Sequence, residues 1–304
     1  MKHMFVPHSF STASLVLIDH VNTILDEYDA LGYDLSLRQL YYQLVARGLL
    51  MENSQRSYKN VGNTVNDARL AGLIDWKMIR DRGRETVRPQ HWETPADILM
   101  AAAEQFRIDK WQDQPNRVLV MVEKDALSGV LVPACGQLDV PFTANKGYSS
   151  SSALYQIATD LKFLVGGILG GSVRDLHILY LGDHGPSGID MTRDVRERLH
   201  LFLGDIPVTV HRLALNMDQV EALNPPENPA KEADSRYTSY VEEYGESSWE
   251  LDAIEPTELV SIVRDAVIEL RDSELWDSPV EREAEMRGKV AEYAQAWRQE
   301  HDDN

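Results

Sequence analysis

The chain has 304 residues, 43% hydrophobic and 26% charged, an ordinary globular composition that excludes a disordered polymer. Its single cysteine, Cys135, excludes a disulfide framework and a cysteine-based zinc site. Thirty basic residues against 49 acidic ones give a formal charge of −19, which at first argues against a polyanionic partner.

The charge is unevenly distributed. Between Ser36 and His91 there are ten Lys or Arg and five Asp or Glu, a net of +5, whereas after residue 120 there are 16 basic and 34 acidic residues. Salt screens repulsion beyond about 10 Å, so a basic module on an acidic body can still hold a phosphate backbone. A solvated basic face is the plainer alternative. The longest apolar stretch, 161–173, contains Lys162 and four glycines and is too short to span a membrane. The first residues lack the pattern of a signal peptide. A cytoplasmic, intracellular protein with no membrane association is expected.

Residues 15–31 carry Leu15, Ile18, Val21, Ile24 and Leu25 at helical spacing, and Gly32 closes the helix. A second helix opens at Ser36, with Gln39 completing a capping box, and runs through Leu49. A third spans 57–70. A short strand is expected over 74–79, then an Asp-Arg-Gly-Arg turn at 81–84 and a return at 86–88. Helices followed by a short hairpin with a basic tip describe a winged helix-turn-helix. On the second helix Leu37, Leu40, Tyr41 and Leu44 share the core face, while Tyr42 points about 125° away, one turn after Arg38. Tyr42 reads either as a surface ring stacked on arginine or as a nucleophile whose anion needs a cation nearby.

A linking helix at 95–106 and Gln-Pro-Asn at 114–116 close a first domain, residues 1–115. In the second domain, residues 116–304, short β-rich runs at 117–122, 140–143, 176–181 and 208–213 alternate with helical stretches at 126–138, 151–164 and 189–203. This alternation predicts a parallel α/β sheet. Glu123 and Asp183 stand at the carboxyl ends of two strands, where open α/β sheets place their chemistry. Residues 224–248 read as a long loop rich in Pro, Glu and Ser. Helices over 256–270 and 279–297 follow, the second capped by Ser278-Pro279.

Two strand-end acids on one sheet edge supply hard oxygen ligands suited to Mg²⁺. Gly182, Gly185 and Gly188 let a backbone or phosphate come close. Arg80, Arg82, Arg84 and Arg88, four arginines in nine residues, are expected to meet a DNA backbone together with Arg56 and Lys59. Lys124 and Lys146 either contact phosphate or pair with local acids. Residues 147–152 form a glycine-bearing turn or a helix cap. Glu250 and Asp252 could lend carboxylates, but acids at the start of a helix more often complement its dipole. Cys135 belongs to the core.

Arg38-Gln-Leu-Tyr-Tyr42 in a winged helix, then Glu123 and the turn Asp183-His-Gly-Pro-Ser-Gly188 in a Toprim-like fold, resembles the A subunit of topoisomerase VI and the meiotic double-strand-break transesterases. The resemblance covers residues 30–215, and in size the chain is closer to compact A-subunit homologues found without an ATPase partner. It implies that Tyr42, with Arg38 beside it, attacks double-stranded DNA and stays linked to the 5′ phosphate. It implies that Glu123 and Asp183 hold Mg²⁺, and that a homodimer sets one protomer's tyrosine against the other's metal site. Strand passage would need a separate ATPase subunit, since the chain carries no ATPase motif. One position departs from the pattern: the Toprim signature is Asp-x-Asp, and Gly185 stands in place of the second acid. Asp190 is the nearest acid along the chain. The alternatives are a DNA-binding subunit with a degenerate, inactive metal site, and a Toprim nuclease that leaves no protein on the ends.

Overall fold

The structure, a computed structural model, describes residues 2–33, 35–79, 89–145, 147–166 and 174–301. Ser11 Oγ accepts the Ser14 N–H and opens α1 (Thr12–Ala30). Its stripe of Ile18, Val21, Ile24, Leu25 and Tyr28 packs against α2 (Leu37–Ala46) and α3 (Gln55–Leu70). The capping box of α2 forms as predicted, with Gln39 N donating to Ser36 Oγ at 3.2 Å and Ser36 N donating to Gln39 Oε1 at 2.8 Å. Such a cap stabilises a helix by about 1 kcal/mol.

The strand predicted over 74–79 does not form. Ile79 makes one isolated bridge, to Leu35, and the residues before it are turns and bends. Arg69 explains the difference: its guanidinium donates to Trp76 O at 2.7 Å and Ile79 O at 3.0 Å and lies 4.3 Å from the Trp76 ring centroid. It thereby takes carbonyls that a strand partner would use. Arg80, Arg82, Arg84 and Arg88 lie outside the described residues, so only the three helices of the predicted winged helix are among them. Thr94 and Asp97 form a second capping box at the head of α4 (Pro95–Gln105).

Beyond α4 the chain builds a sheet covered on both faces. β1 (Asn116–Val122) is followed by α5 (Ser128–Gln137), β2 (Phe142–Ala144), α6 (Ser151–Gly166), β3 (Asp175–Leu181), α7 (Pro186–Leu203) and β4 (Val208–Ala214). The four strands are parallel, in the order β2-β1-β3-β4, with Val120 opposite both Phe142 and Leu179. Period-2 alternation splits the core in two. Val118, Val120, Val122, Leu179 and Leu181 face α5 and the later α10 (Pro256–Glu269), whereas Leu119, Met121, Ile178 and Tyr180 face α6 and α7. Each fully buried Val or Leu stabilises the fold by about 1.5–3 kcal/mol relative to exposure.

The predicted loop at 224–248 is largely structured. After α8 (Met217–Leu223), β5 (Glu227–Pro229) pairs antiparallel with β6 (Ser247–Trp249), and α9 (Tyr237–Tyr244) lies between them. Three-residue strands are too short to show a period. This hairpin is stitched to the end of the main sheet, because His184 N donates to Trp249 O at 2.9 Å and Trp249 N donates to His184 O at 2.8 Å. The last helix, α11 (Ser273–His301), starts before the predicted cap at Ser278. Asp272 Oδ1 accepts the Glu274 and Leu275 N–H groups at 2.9 and 3.3 Å, offering an earlier start, and Pro279 falls inside the helix. α11 packs on α4, and buried Glu283 accepts from Lys110 Nζ at 2.7 Å and from the Ile108 N–H at 2.9 Å. Among the described residues no helix is long and apolar enough to cross a membrane.

Candidate functional site

β2 lies on one side of β1 and β3 on the other, so the winding direction switches between β1 and β3. Such a switch opens a crevice at the carboxyl ends of the strands. Glu123 directly follows β1, and Asp183 follows β3 after Gly182. Glu123 Oε2 accepts the Asp183 N–H at 2.9 Å. Burial, and then the charge of Asp183, push the Glu123 carboxyl up to about 7. From β4, Arg212 reaches beneath the loop and donates to the carbonyls of Gly182 (3.2 Å), Asp183 (2.7 Å), Gly188 (3.0 Å) and Leu215 (3.1 Å). The loop closes tightly: a Cβ on Gly188 would come within 2.1 Å of Asp183 O.

The site holds two residues that sequence reasoning had set aside. Glu250 and Asp252 do not serve the dipole of α10; they belong to the turn that continues β6 and face Asp183. Lys124 Nζ lies 2.7 Å from Asp183 Oδ2, 3.1 Å from Glu250 Oε2 and 3.3 Å from Asp252 Oδ2. Leu251 N donates to the other Asp183 oxygen at 2.8 Å. Asp252 is 1% exposed, and neither of its oxygens makes a hydrogen bond. Burial raises its pKa above the usual carboxylate range. Burial pulls the Lys124 ammonium down, but Asp183, Asp252 and Glu250 outweigh it and keep it protonated.

Tyr42 is 3% exposed, which corrects the surface reading. The face opposite the α2 core stripe is covered by segments far away in sequence: the turn at 251–253 packs on α2, and Asn228 Nδ2 donates to the phenol oxygen at 3.2 Å. Burial, and then Glu250, push the phenol up to about 12, while Asn228, Arg38 and Lys124 pull against them. Arg38 binds Glu250 at 3.0 and 3.1 Å. A cavity of about 400 Å³ opens here, lined by Arg38, Tyr42, Tyr58, Asn228, Lys231 and Glu250. Gln55 and Tyr58 at the start of α3 form part of its wall, and Arg56 and Lys59 on the same helix are exposed. Glu250 thus stands between Tyr42 and the Lys124–Asp183 pair.

His184 turns away from the cluster; its Nδ1 lies 2.8 Å from the Tyr240 hydroxyl, and burial, then Arg212, pull it down to about 4. Asp190 is bound by the Tyr148 hydroxyl at 2.6 Å and by Arg193 and Arg236 at 2.8 Å each, so it does not stand in for the acid absent at Gly185. Cys135 is buried, as expected. Lys146 lies outside the described residues.

Among the described residues no three His, Cys, Asp or Glu side chains form a ready metal-binding group. The donor set still suits a hard cation: Glu123, Asp183, Glu250 and Asp252 are carboxylates, and Asp252 is buried without a hydrogen bond. The point where three of them converge is held by the Lys124 ammonium. No protein-family model matches the chain, and no curated protein sequence matches it either.

Proposed function

We propose that this chain is a DNA-cleaving transesterase of the type IIB topoisomerase kind, dependent on Mg²⁺ and acting on double-stranded DNA as a homodimer. A winged-helix N-terminal part and a Toprim-like sheet belong to the same reading. One observation carries it: Tyr42 and Arg38 on α2 stand beside Glu250, which also binds the Lys124 that pairs with the strand-end acid Asp183. A switch-point crevice alone would suit many ligands. A buried tyrosine with an arginine and a lysine acting on its phenol narrows the choice.

In the reaction the Tyr42 phenol gives its proton to solvent water and its oxygen attacks a backbone phosphorus. A tyrosyl–phosphate bond forms as the bond to the 3′ oxygen breaks, and that oxygen leaves and takes up a proton. The ester conserves the phosphodiester, so the reverse step rejoins the strand. Asn228, Arg38 and Lys124 pull toward the phenolate, but burial and Glu250 outweigh them in the free protein and leave the phenol at about 12. Arg56 and Lys59 hold the backbone near the mouth of the cavity. When bound by Glu123 and Asp183, Mg²⁺ would neutralise charge on the phosphate and on the departing oxygen. The homodimer provides one cut per strand, and a separate ATPase subunit is needed only for strand passage.

Plasmid cleavage with and without Mg²⁺, analysed before and after proteinase digestion, tests the reading. The expected product is a Mg²⁺-dependent break whose ends carry protein, absent with Tyr42→Phe. Naked ends would instead indicate a metal-dependent nuclease. A second reading, a DNA-binding subunit with an inactive metal site, is favoured by Gly185 and by the Lys124 ammonium among the acids. It expects DNA binding without cutting, indifferent to Mg²⁺.

A further inference from the structure

We infer that Asp252 supplies the carboxylate that Gly185 lacks, and that Lys124 Nζ occupies the cation position until a divalent ion displaces it. The inference rests on the reading of Glu123 and Asp183 as ligands of a divalent cation.

Gly185 has no side-chain donor, and Asp190 is committed to three partners on the other side of the loop. Asp252 approaches from a different element and meets the same acid. Asp252 is 1% exposed, its oxygens make no hydrogen bond and its ion pair to Lys124 is 3.3 Å long, so the carboxylate is costly to keep in a fold. Its neighbours Leu251 and Ala253 already do the packing, each inside a core cluster, so the carboxylate is not needed to fill space. The geometry points to a ligand. The Leu251 N–H ties down Asp183 Oδ1, leaving Oδ2 turned toward the same point as Glu250 Oε2 and Asp252 Oδ2. These oxygens surround one cationic atom at 2.7–3.3 Å, the span of ion pairs to an ammonium. A Mg²⁺ or Mn²⁺ ion at that point would draw them in to about 2.0–2.2 Å and exclude the ammonium. Lys124 has the means to leave, because its four-carbon stem is flexible and its side chain is 20% exposed. Competition by a tethered cation sets the affinity: the ion must displace an ammonium that pairs with three carboxylates.

The test is Mn²⁺ binding to the full chain without DNA, followed by the electron paramagnetic resonance signal of free Mn²⁺. One ion is expected to bind. Asp252→Asn is expected to weaken it at least tenfold, as Glu123→Gln does, and Lys124→Met to tighten it about tenfold. Adding Gly185→Asp to Asp252→Asn is expected to restore binding, which separates a ligand role from a folding defect. If Asp252→Asn binds Mn²⁺ as the unaltered chain does while Glu123→Gln loses it, the inference falls and the two-ligand reading stands. If neither the unaltered chain nor Lys124→Met binds Mn²⁺, the inference falls together with the metal part of the proposed function.

Discussion

Arg38 Nε and Nη2 meet the two carboxylate oxygens of Glu250 at 3.0 and 3.1 Å, a two-point bond that fastens the helix bearing Tyr42 to the segment bearing Asp252. The bond joins the two halves of the site. α2 brings the phenol from the N-terminal helices, and the turn after β6 brings the acids to the end of the main sheet. Glu250 also contacts Lys124, so one carboxylate touches both the cation beside the tyrosine and the cation beside Asp183.

Glu250→Gln separates stability from chemistry. Arg38 keeps 42% of its side chain exposed, so its pair with Glu250 contributes at most about 1 kcal/mol in urea unfolding, and the less exposed pair with Lys124 adds a loss of similar order. Strand cleavage should fall much further, because Arg38 and Lys124 lose a shared anchor. A stability loss with unchanged cleavage would show the pair to be structural only.

Gly188 and Gly185 lie in the same loop and should respond differently. Gly188→Ala places a Cβ 2.1 Å from a backbone oxygen, so the loop must move at a cost of about 2 kcal/mol or more. Gly185 has extended backbone and its added Cβ would sit 3.4 Å from Ser248 Cβ, an ordinary contact. Gly185→Asp should therefore unfold at a higher denaturant concentration than Gly188→Ala. The reverse order would mean that the loop is packed differently.

Arg56 and Lys59 are expected to contact phosphate rather than bases. Replacing both with Gln should weaken duplex binding similarly for unrelated sequences and flatten the salt dependence of log K by about two units of slope. Titrations at several salt concentrations measure this directly. An unchanged slope would remove both residues from the interface.

The main sheet was legible because its strands are buried on both faces and read as continuous apolar runs, with Glu123 directly after β1 and Asp183 after β3 and Gly182. The capping box at Ser36 was legible for the same local reason. Glu250 and Asp252 were not, although they follow Ser-Ser-Trp249 as Glu123 follows β1. The pattern was there, but β6 has three residues and gains its partners from β5 and His184. The burial of Tyr42 was not legible for a related reason. Periodicity places a residue on a helix face but does not say which distant segment covers that face, and here the cover comes from Asn228 and residues 251–253. The strand at 74–79 failed because Arg69 claims the carbonyls of Trp76 and Ile79.

The His177–His211 pair gives a pH dependence of known sign. His177 Nδ1 and His211 Nε2 are 2.9 Å apart, and burial, then His211, depress the His177 pKa below 6.5. Below pH 6.5 the unfolded chain therefore binds more protons at this position than the folded one, and stability falls as pH falls. His177→Gln should reduce the loss of melting temperature between pH 7 and pH 5. An equal loss in both proteins would mean that the pair is not strained by protonation.

The most direct measurement is to trap the chain on cleaved DNA with Mg²⁺, digest both protein and DNA, and map the nucleotide-bearing peptide by mass spectrometry. A 5′-phosphate ester is expected on the peptide containing residues 39–47, with the modification on Tyr42 and not on Tyr41. A modified peptide elsewhere, or cleaved DNA with no modified peptide, would contradict Tyr42 as the nucleophile.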